Sequence, residues 1–304
     1  MENDNKLEEL IEEYKLPKEE HSRISKKISE IFFKGKTKPK IPTAIFTIGP
    51  PGSGKTGLNG LAQKELNGNL VIVNNDELRP FHPKAEEIAK KHPKEYIKIT
   101  NEESKYWTDE LVDKIIEEGY NILYEGTGRK IEIFKRMIEK MLQHGYRIII
   151  KAMAVNELNC LMSIVERYAG QVQHKGWGRI VSTKTFYKSY DAEMIETIDT
   201  LEKEGEISEV EVYIRSDEPT NPIKIYSTSQ KQYKDAKTAI IEGRKLDKIN
   251  AIKYYEQYFK RSKLKDKETE EILERMEEIH KHHKIIDDMI YSREKVLQKF
   301  DYDE

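Results

Sequence analysis

Residues Gly49-Pro50-Pro51-Gly52-Ser53-Gly54-Lys55-Thr56 fit the pattern G-x-x-x-x-G-K-[ST], with the apolar run Thr43 to Ile48 before them and a helix-like stretch, Leu58 to Leu66, after them. Strand, glycine-rich turn and helix in that order define a phosphate-binding loop. Its glycines let backbone N–H groups wrap a phosphate, Lys55 places a positive charge on the terminal phosphates, and the Thr56 hydroxyl is a ligand for Mg²⁺. All eight residues are therefore expected to bind a nucleoside triphosphate, with Thr56 on the metal. A loop of this kind needs a parallel α/β sheet behind it, which constrains the rest of the chain.

The remaining sequence supplies that sheet. Strand-like runs at Leu70 to Val73, Ile122 to Tyr124, Arg147 to Val155 and Val210 to Ile214 alternate with helix-like segments near 101–118, 130–143, 157–169 and 184–203. Strands separated by helix-length segments form parallel βαβ units, so the expected fold is α/β, a P-loop parallel sheet flanked by helices. Thr100 and Glu103 predict a capping box for the helix that follows, and Gly119 predicts its stop. Residues 5–34 read as charged helices interrupted at Pro17, and Lys34 to Pro42 as a linker. Residues 232–300 read as two long helices broken near Arg261 to Lys267. The expected division is N-terminal helices and linker over 1–40, a P-loop nucleotide domain over 41–228 and a helical C-terminal extension over 229–304.

Composition limits the function classes. A net charge of −2 lacks the basic surplus of a nucleic-acid binder, so no nucleic-acid partner is expected. No apolar run approaches the length of a membrane span and the acidic N-terminus has no secretory signal, which predicts a cytoplasmic protein without a membrane partner. Cys160 is the single cysteine, so no intramolecular disulfide forms, and its apolar setting predicts a buried thiol. His280, His282 and His283 stand among lysines and read as a solvated helix face, not a zinc site.

Ligands of parallel sheets bind beyond the C-terminal ends of the strands. Beyond the second strand stands Asp76, which on position alone is a general base, a helix cap or a water-mediated metal ligand. Beyond the third stands Glu125-Gly126-Thr127-Gly128-Arg129, where Thr127 and Arg129 are placed to bind a ligand and Glu125 either joins the metal shell or shapes the turn. Arg167 lies off the apolar stripe Leu158, Leu161, Met162 and Val165, and Arg179 sits in Gly176-Trp177-Gly178-Arg179; both could stabilise charge on a transferring phosphate. Trp177 reads as a surface packing residue.

Taken in order, the phosphate loop, Asn75-Asp76 with His82-Pro83, Glu125-Gly126-Thr127-Gly128-Arg129 and Glu166-Arg167-Tyr168 resemble the zeta toxin family of bacterial toxin–antitoxin kinases. Gly119-Tyr120-Asn121 and Met153-Ala154-Val155 are similar too, and the resemblance runs over about residues 42–215. It implies transfer of the γ-phosphate of ATP, with Mg²⁺, to the 3′-hydroxyl of the sugar in UDP-N-acetylglucosamine. Asp76 would be the general base, Lys55, Arg167 and Arg179 would hold and neutralise the triphosphate, and Thr127 and Arg129 would bind the nucleotide sugar. A further substrate-binding acid is implied at Asp109, one methylene shorter than the family's Glu, with Glu110 beside it; helical periodicity leaves both open. The spacing over Gln171 to Gly178 departs from the family pattern around Arg179. The resemblance also implies a small helical antitoxin partner covering the ATP site, a role the chain's own first forty residues could fill as an internal inhibitor if they are not a simple stabilising element. Rival readings are a kinase for another nucleotide or small-molecule hydroxyl, and a binding module in which ATP only orients the C-terminal helices toward a partner.

Overall fold

A computed structural model of the chain describes residues 2–93, 95–175, 181–216, 218, 220–247, 270 and 274. Arg179, Trp177, His280, His282, His283 and most of the two long helices expected over 232–300 lie outside the described residues; within them, residues 236–246 are helical.

Two N-terminal helices, α1 (Glu2–Tyr14) and α2 (Lys18–Phe33), are separated at Pro17 as the sequence predicts. Then β1 (Thr43–Ile48) leads through the glycine loop into α3 (Lys55–Glu65), and β2 (Val71–Val73) into three short helices, α4 (Asn75–Leu78), α5 (Ala85–Lys91) and α6 (Tyr96–Ile99). Next come α7 (Asn101–Glu118), β3 (Ile122–Gly126), α8 (Ile131–Gln143), β4 (Arg147–Met153) and α9 (Glu157–Lys175). The described part closes with α10 (Thr183–Lys188), α11 (Met194–Glu204), β5 (Glu209–Ile214), β6 (Ile223–Ser227) and α12 (Ala236–Leu246).

The strands form one six-stranded sheet in the order β2-β3-β1-β4-β5-β6. The first five are mutually parallel and β6 runs antiparallel at the edge. The central strands β1 and β4 are buried on both faces, as a parallel sheet between helical layers requires. In β1 the two-residue period sends Ala44, Phe46 and Ile48 into a core with Ile28, Trp107, Leu111 and Ile138, while Ile45 meets Ala62, Leu123 and Ile149 on the opposite side.

Three sequence expectations change. The helix expected over 184–203 is broken by a π-type turn, Ser189–Glu193, whose extra residue lets Tyr190 stack on Phe186 while Met194 reaches the Gly128 turn. No capping box forms at Thr100: α6 runs into α7 with Thr100 itself helical, so the first amides of α7 already have helical acceptors and the Thr100 hydroxyl donates back to the Tyr96 carbonyl. Glu103 instead accepts from the Leu16 amide at 3.1 Å and pairs with His21 at 2.8 Å, fixing the N-terminal helices to α7. The stretch Ile223–Ser227, where no strand is expected, is β6. Gly119 does end α7, in the left-handed conformation with φ +78°.

Candidate active site

Every predicted site residue within the described part stands beyond the C-terminal end of a strand or on the helix that follows one, except Asp109, which lies on α7 ahead of β3. Because β1 is flanked by β3 and β4, with β2 and β5 outside them, the loops after five parallel strands share one edge of the sheet.

The phosphate loop is shaped by its glycines. Gly52 and Gly54 take φ +77° and +85°, and a Cβ on Gly52 would stand 2.1 Å from the Cys160 carbonyl oxygen, so α9 packs directly on the loop backbone. The Lys55 ammonium folds over the loop and donates to the Gly49 and Pro50 carbonyls at 2.9 and 3.3 Å. Burial pushes its pKa down, Glu125 and Cys160 pull it back, and the charge of Arg167 pushes it down again, which brings Arg167 into the electrostatic field of the loop. Arg167 is exposed on α9, off the buried stripe, as its spacing predicts. Cys160 is buried and its thiol is pushed up to about 12 by burial, so it is an inert packing group.

The second strand delivers Asp76, exposed in the first turn of α4. It does not cap that helix: Asn74 does, accepting from the Asp76 amide at 3.0 Å. The Asp76 carboxylate accepts from Arg79 Nε at 3.0 Å. Arg79 is 5% exposed, and its other nitrogens donate to the Ile97 carbonyl, the Thr100 hydroxyl and Asn101 Oδ1. This guanidinium is a fixed strut between Asp76 and the α6–α7 junction, and sequence reasoning missed it. The signal was present, since acid and arginine three apart on a helix face each other.

The third strand delivers the Glu125–Arg129 turn. Glu125 Oε2 accepts from Asn59 at 2.9 Å, and Asn59 Oδ1 accepts from the Thr47 hydroxyl at 3.1 Å, so this acid is oriented by α3 and β1. Arg129 Nε donates to the Thr127 hydroxyl at 3.2 Å, joining the two predicted ligand-binding residues. A Cβ on Gly128 would meet Ile48 at 2.6 Å and Met194 at 3.1 Å, so the turn is pressed between β1 and α11. Burial and the charge of Glu125 together raise the pKa of Glu77, which sets two carboxyls in one field. Thr56 and Glu125 offer the hard oxygen donors that Mg²⁺ prefers. Among the described residues no three His, Cys, Asp or Glu gather as a metal cage, so phosphate oxygens and water would complete such a shell.

Asp109 and Glu110 have different surroundings. Ser25 on α2 donates to the Glu110 carboxylate, committing that acid to the N-terminal helices. Asp109 is exposed on another face; burial raises its pKa, Lys105 and Arg136 lower it, and Asp113 raises it. Its charge in turn raises the pKa of Tyr124 on β3, already lifted by burial, next to the Glu125–Arg129 turn.

A fifth strand-end residue was not foreseen. Arg215, directly after β5, donates to the carbonyls of Gly52 and Ser53 in the phosphate loop and to Asn159 and Ser163 of α9.

A family model described as zeta toxin matches residues 29–231. The chain belongs to the zeta toxin family. Toxin zeta of Streptococcus pyogenes is 27% identical over 211 residues, covering 69% of this chain and 71% of that protein. Toxin PezT of Streptococcus pneumoniae serotype 4 is 31% identical over 135 residues, 44% of this chain and 53% of that one. Among solved structures, a chain of the PezAT chromosomal toxin–antitoxin system of S. pneumoniae superposes with a TM-score of 0.65 at 22% identity, covering 75% of this chain and 88% of the other. A chain of the AvrRxo1-ORF1:-ORF2 complex with ATP superposes with a TM-score of 0.50 at 13% identity, over 73% of this chain and 70% of the other. The zeta toxin match extends past the 42–215 span of motifs at both ends, taking in part of α2 and all of β6, and the architecture is that of a kinase-type phosphotransferase.

Proposed function

We propose that this zeta toxin family chain transfers the γ-phosphate of ATP to the 3′-hydroxyl of the sugar in UDP-N-acetylglucosamine, as the toxin of a toxin–antitoxin pair. The observation that carries the reading is the sharing of one sheet edge by three groups: the phosphate loop with Lys55, the strut-held Asp76, and the linked Thr127 and Arg129. The loop amides and Lys55 hold the triphosphate, and Thr56 would hold Mg²⁺, which would supply charge neutralisation at the terminal oxygens. Asp76 accepts the proton of the attacking hydroxyl as the new O–P bond forms and ADP leaves. Arg167 and Arg179 offset the charge spread over the transferring phosphoryl group. Thr127, Arg129 and Asp109 position the nucleotide sugar. Positioning and charge neutralisation supply the rate, without a covalent enzyme intermediate. The superposition on a chain from a complex with ATP and on one from a toxin–antitoxin system supports both the nucleotide and a protein partner.

Purified protein incubated with ATP, Mg²⁺ and a panel of UDP-sugars and nucleotides, read by mass spectrometry, tests this. UDP-N-acetylglucosamine should gain one phosphate, and Asp76→Asn should abolish the gain while ATP still binds. Phosphate on another acceptor in the panel would move the specificity, for which the shortened acid at 109 supplies a reason. A cellular effect that survives Asp76→Asn yet is lost in Lys55→Ala would replace the kinase with the ATP-gated binding module.

A further inference from the structure

We infer that Arg215 is a positioning residue that holds the phosphate loop in its anion-receiving shape, and that affinity for the nucleotide depends on it. The inference rests on the ATP-binding reading above. A loop that turns its amides inward onto phosphate turns carbonyls outward, and those oxygens need donors of their own. Arg215 supplies them. Its Nη2 donates to the Gly52 carbonyl and, at 3.1 Å, to the Ser163 hydroxyl; Nε reaches the Ser53 carbonyl at 3.4 Å and Nη1 the Asn159 carbonyl at 3.4 Å. One planar fork thus spans two backbone segments, the loop and the first half of α9. The guanidinium lies against the loop backbone, within van der Waals reach of Gly54, while Gly52 is pressed on the Cys160 carbonyl on the α9 side.

Side chains of the loop do not provide this hold. The Ser53 hydroxyl is buried without a hydrogen-bond partner, and Lys55, which folds onto the Gly49 and Pro50 carbonyls, must swing away to meet phosphate. Arg215 can keep its bonds while the nucleotide arrives, because its acceptors are on the outer side of the loop. A lysine could not, since a single ammonium has no planar fork with which to bridge both segments. Arg215 also joins the loop to the helix that carries Arg167, so the two charged groups are held in one frame.

The experiment measures ATP affinity by calorimetric titration without acceptor, then KM for ATP, kcat and melting temperature, in wild type, Arg215→Ala, Arg215→Lys and Ser163→Ala. Arg215→Ala should weaken ATP binding and raise its KM by about tenfold or more, with kcat at saturating ATP within about threefold of wild type. Arg215→Lys should fall between the two, and Ser163→Ala, which leaves the loop contacts intact, should shift affinity by less than about threefold. Wild-type affinity in a folded Arg215→Ala, or lowered kcat with unchanged affinity, overturns the inference. If the alanine variant does not fold, Arg215→Lys decides by the same criterion, wild-type affinity again being the overturning result. A wild-type protein that binds no ATP overturns the nucleotide reading itself and the inference with it, an outcome recognisable before any variant is made.

Discussion

Asp76 owes its position to a neighbour that is almost out of solvent. Arg79 reaches it with one nitrogen and spends the others on Ile97, Thr100 and Asn101, so the carboxylate is aimed by the junction of two helices. Arg79→Met should therefore lower kcat by about a hundredfold, the scale of a misplaced catalytic group, while leaving the affinity for ATP near that of wild type; steady-state kinetics beside a binding titration checks both. Gly52→Ala places a methyl against the Cys160 carbonyl at a φ that L-residues avoid. It should cost about 2 kcal/mol or more in urea unfolding and abolish ATP binding. At this scale the sequence revealed which residues follow strands and carry charge. It did not reveal Arg215, whose partners are backbone oxygens and a hydroxyl brought near only by folding, nor the burial that turns the legible Asp76–Arg79 spacing into a strut. Spacing alone separates Asp109 from Glu110 no better, since the Ser25 hydroxyl that bonds Glu110 comes from another helix.

Helices α1 and α2 read from sequence as charged and peripheral, yet Tyr14, Ile24 and Ile28 are buried, the last two against the α7 side of the sheet. Their described hydrogen bonds end on α7 and on residues 82–87, not on the phosphate loop. Deleting residues 1–38 should consequently lower the melting temperature without raising ATP turnover; a faster enzyme of unchanged stability would restore internal inhibition. Glu103→Ala strips the Leu16 amide and His21 of their acceptor in a site with 7% exposure. It should cost about 2 kcal/mol, measured as a shift in the urea midpoint at constant slope. The long periodic elements were legible because burial imposes a period of two or 3.6 residues on them. The short helices between β2 and α7 were not, since single turns carry no period, and the capping signal at Thr100 failed because a helix already led into it. β6 was hidden by its edge position: Ile223 and Lys224 face outward, and only Tyr226 and Ser227 are buried.

Across the whole molecule, stability couples to pH through the β4–β5–β6 end of the sheet. Lys151 is almost fully buried and pairs with Glu65 at 2.9 Å and with Glu211, which also accepts from Lys224 at 2.8 Å and Tyr213 at 2.8 Å. Burial alone would raise the Glu211 pKa, but the bonds from Lys151 and Lys224 outweigh it and hold the pKa below the ordinary carboxylate range. An acid whose pKa is depressed by folding adds stability that is complete above its unfolded pKa and disappears as pH falls through the folded one. Resistance to urea should thus fall from about pH 5 downward, and Glu211→Gln should flatten that slope while costing stability at pH 7, since it leaves Lys151 less well compensated. Among the described residues no helix is long and apolar enough to cross a membrane.

The helix that carries Arg167 begins with an amide, Asn156 N, bound at 2.8 Å by the carboxylate of Asp247, which also takes the Asn159 side chain at 2.7 Å. The glycine loop is translated some two hundred residues before that carboxylate and well before Arg215, the group that braces it. A chain still attached to the ribosome therefore owns its phosphate loop long before it owns the supports of that loop and of α9. Synthesis in one direction puts both supports among the last parts of the described fold to emerge.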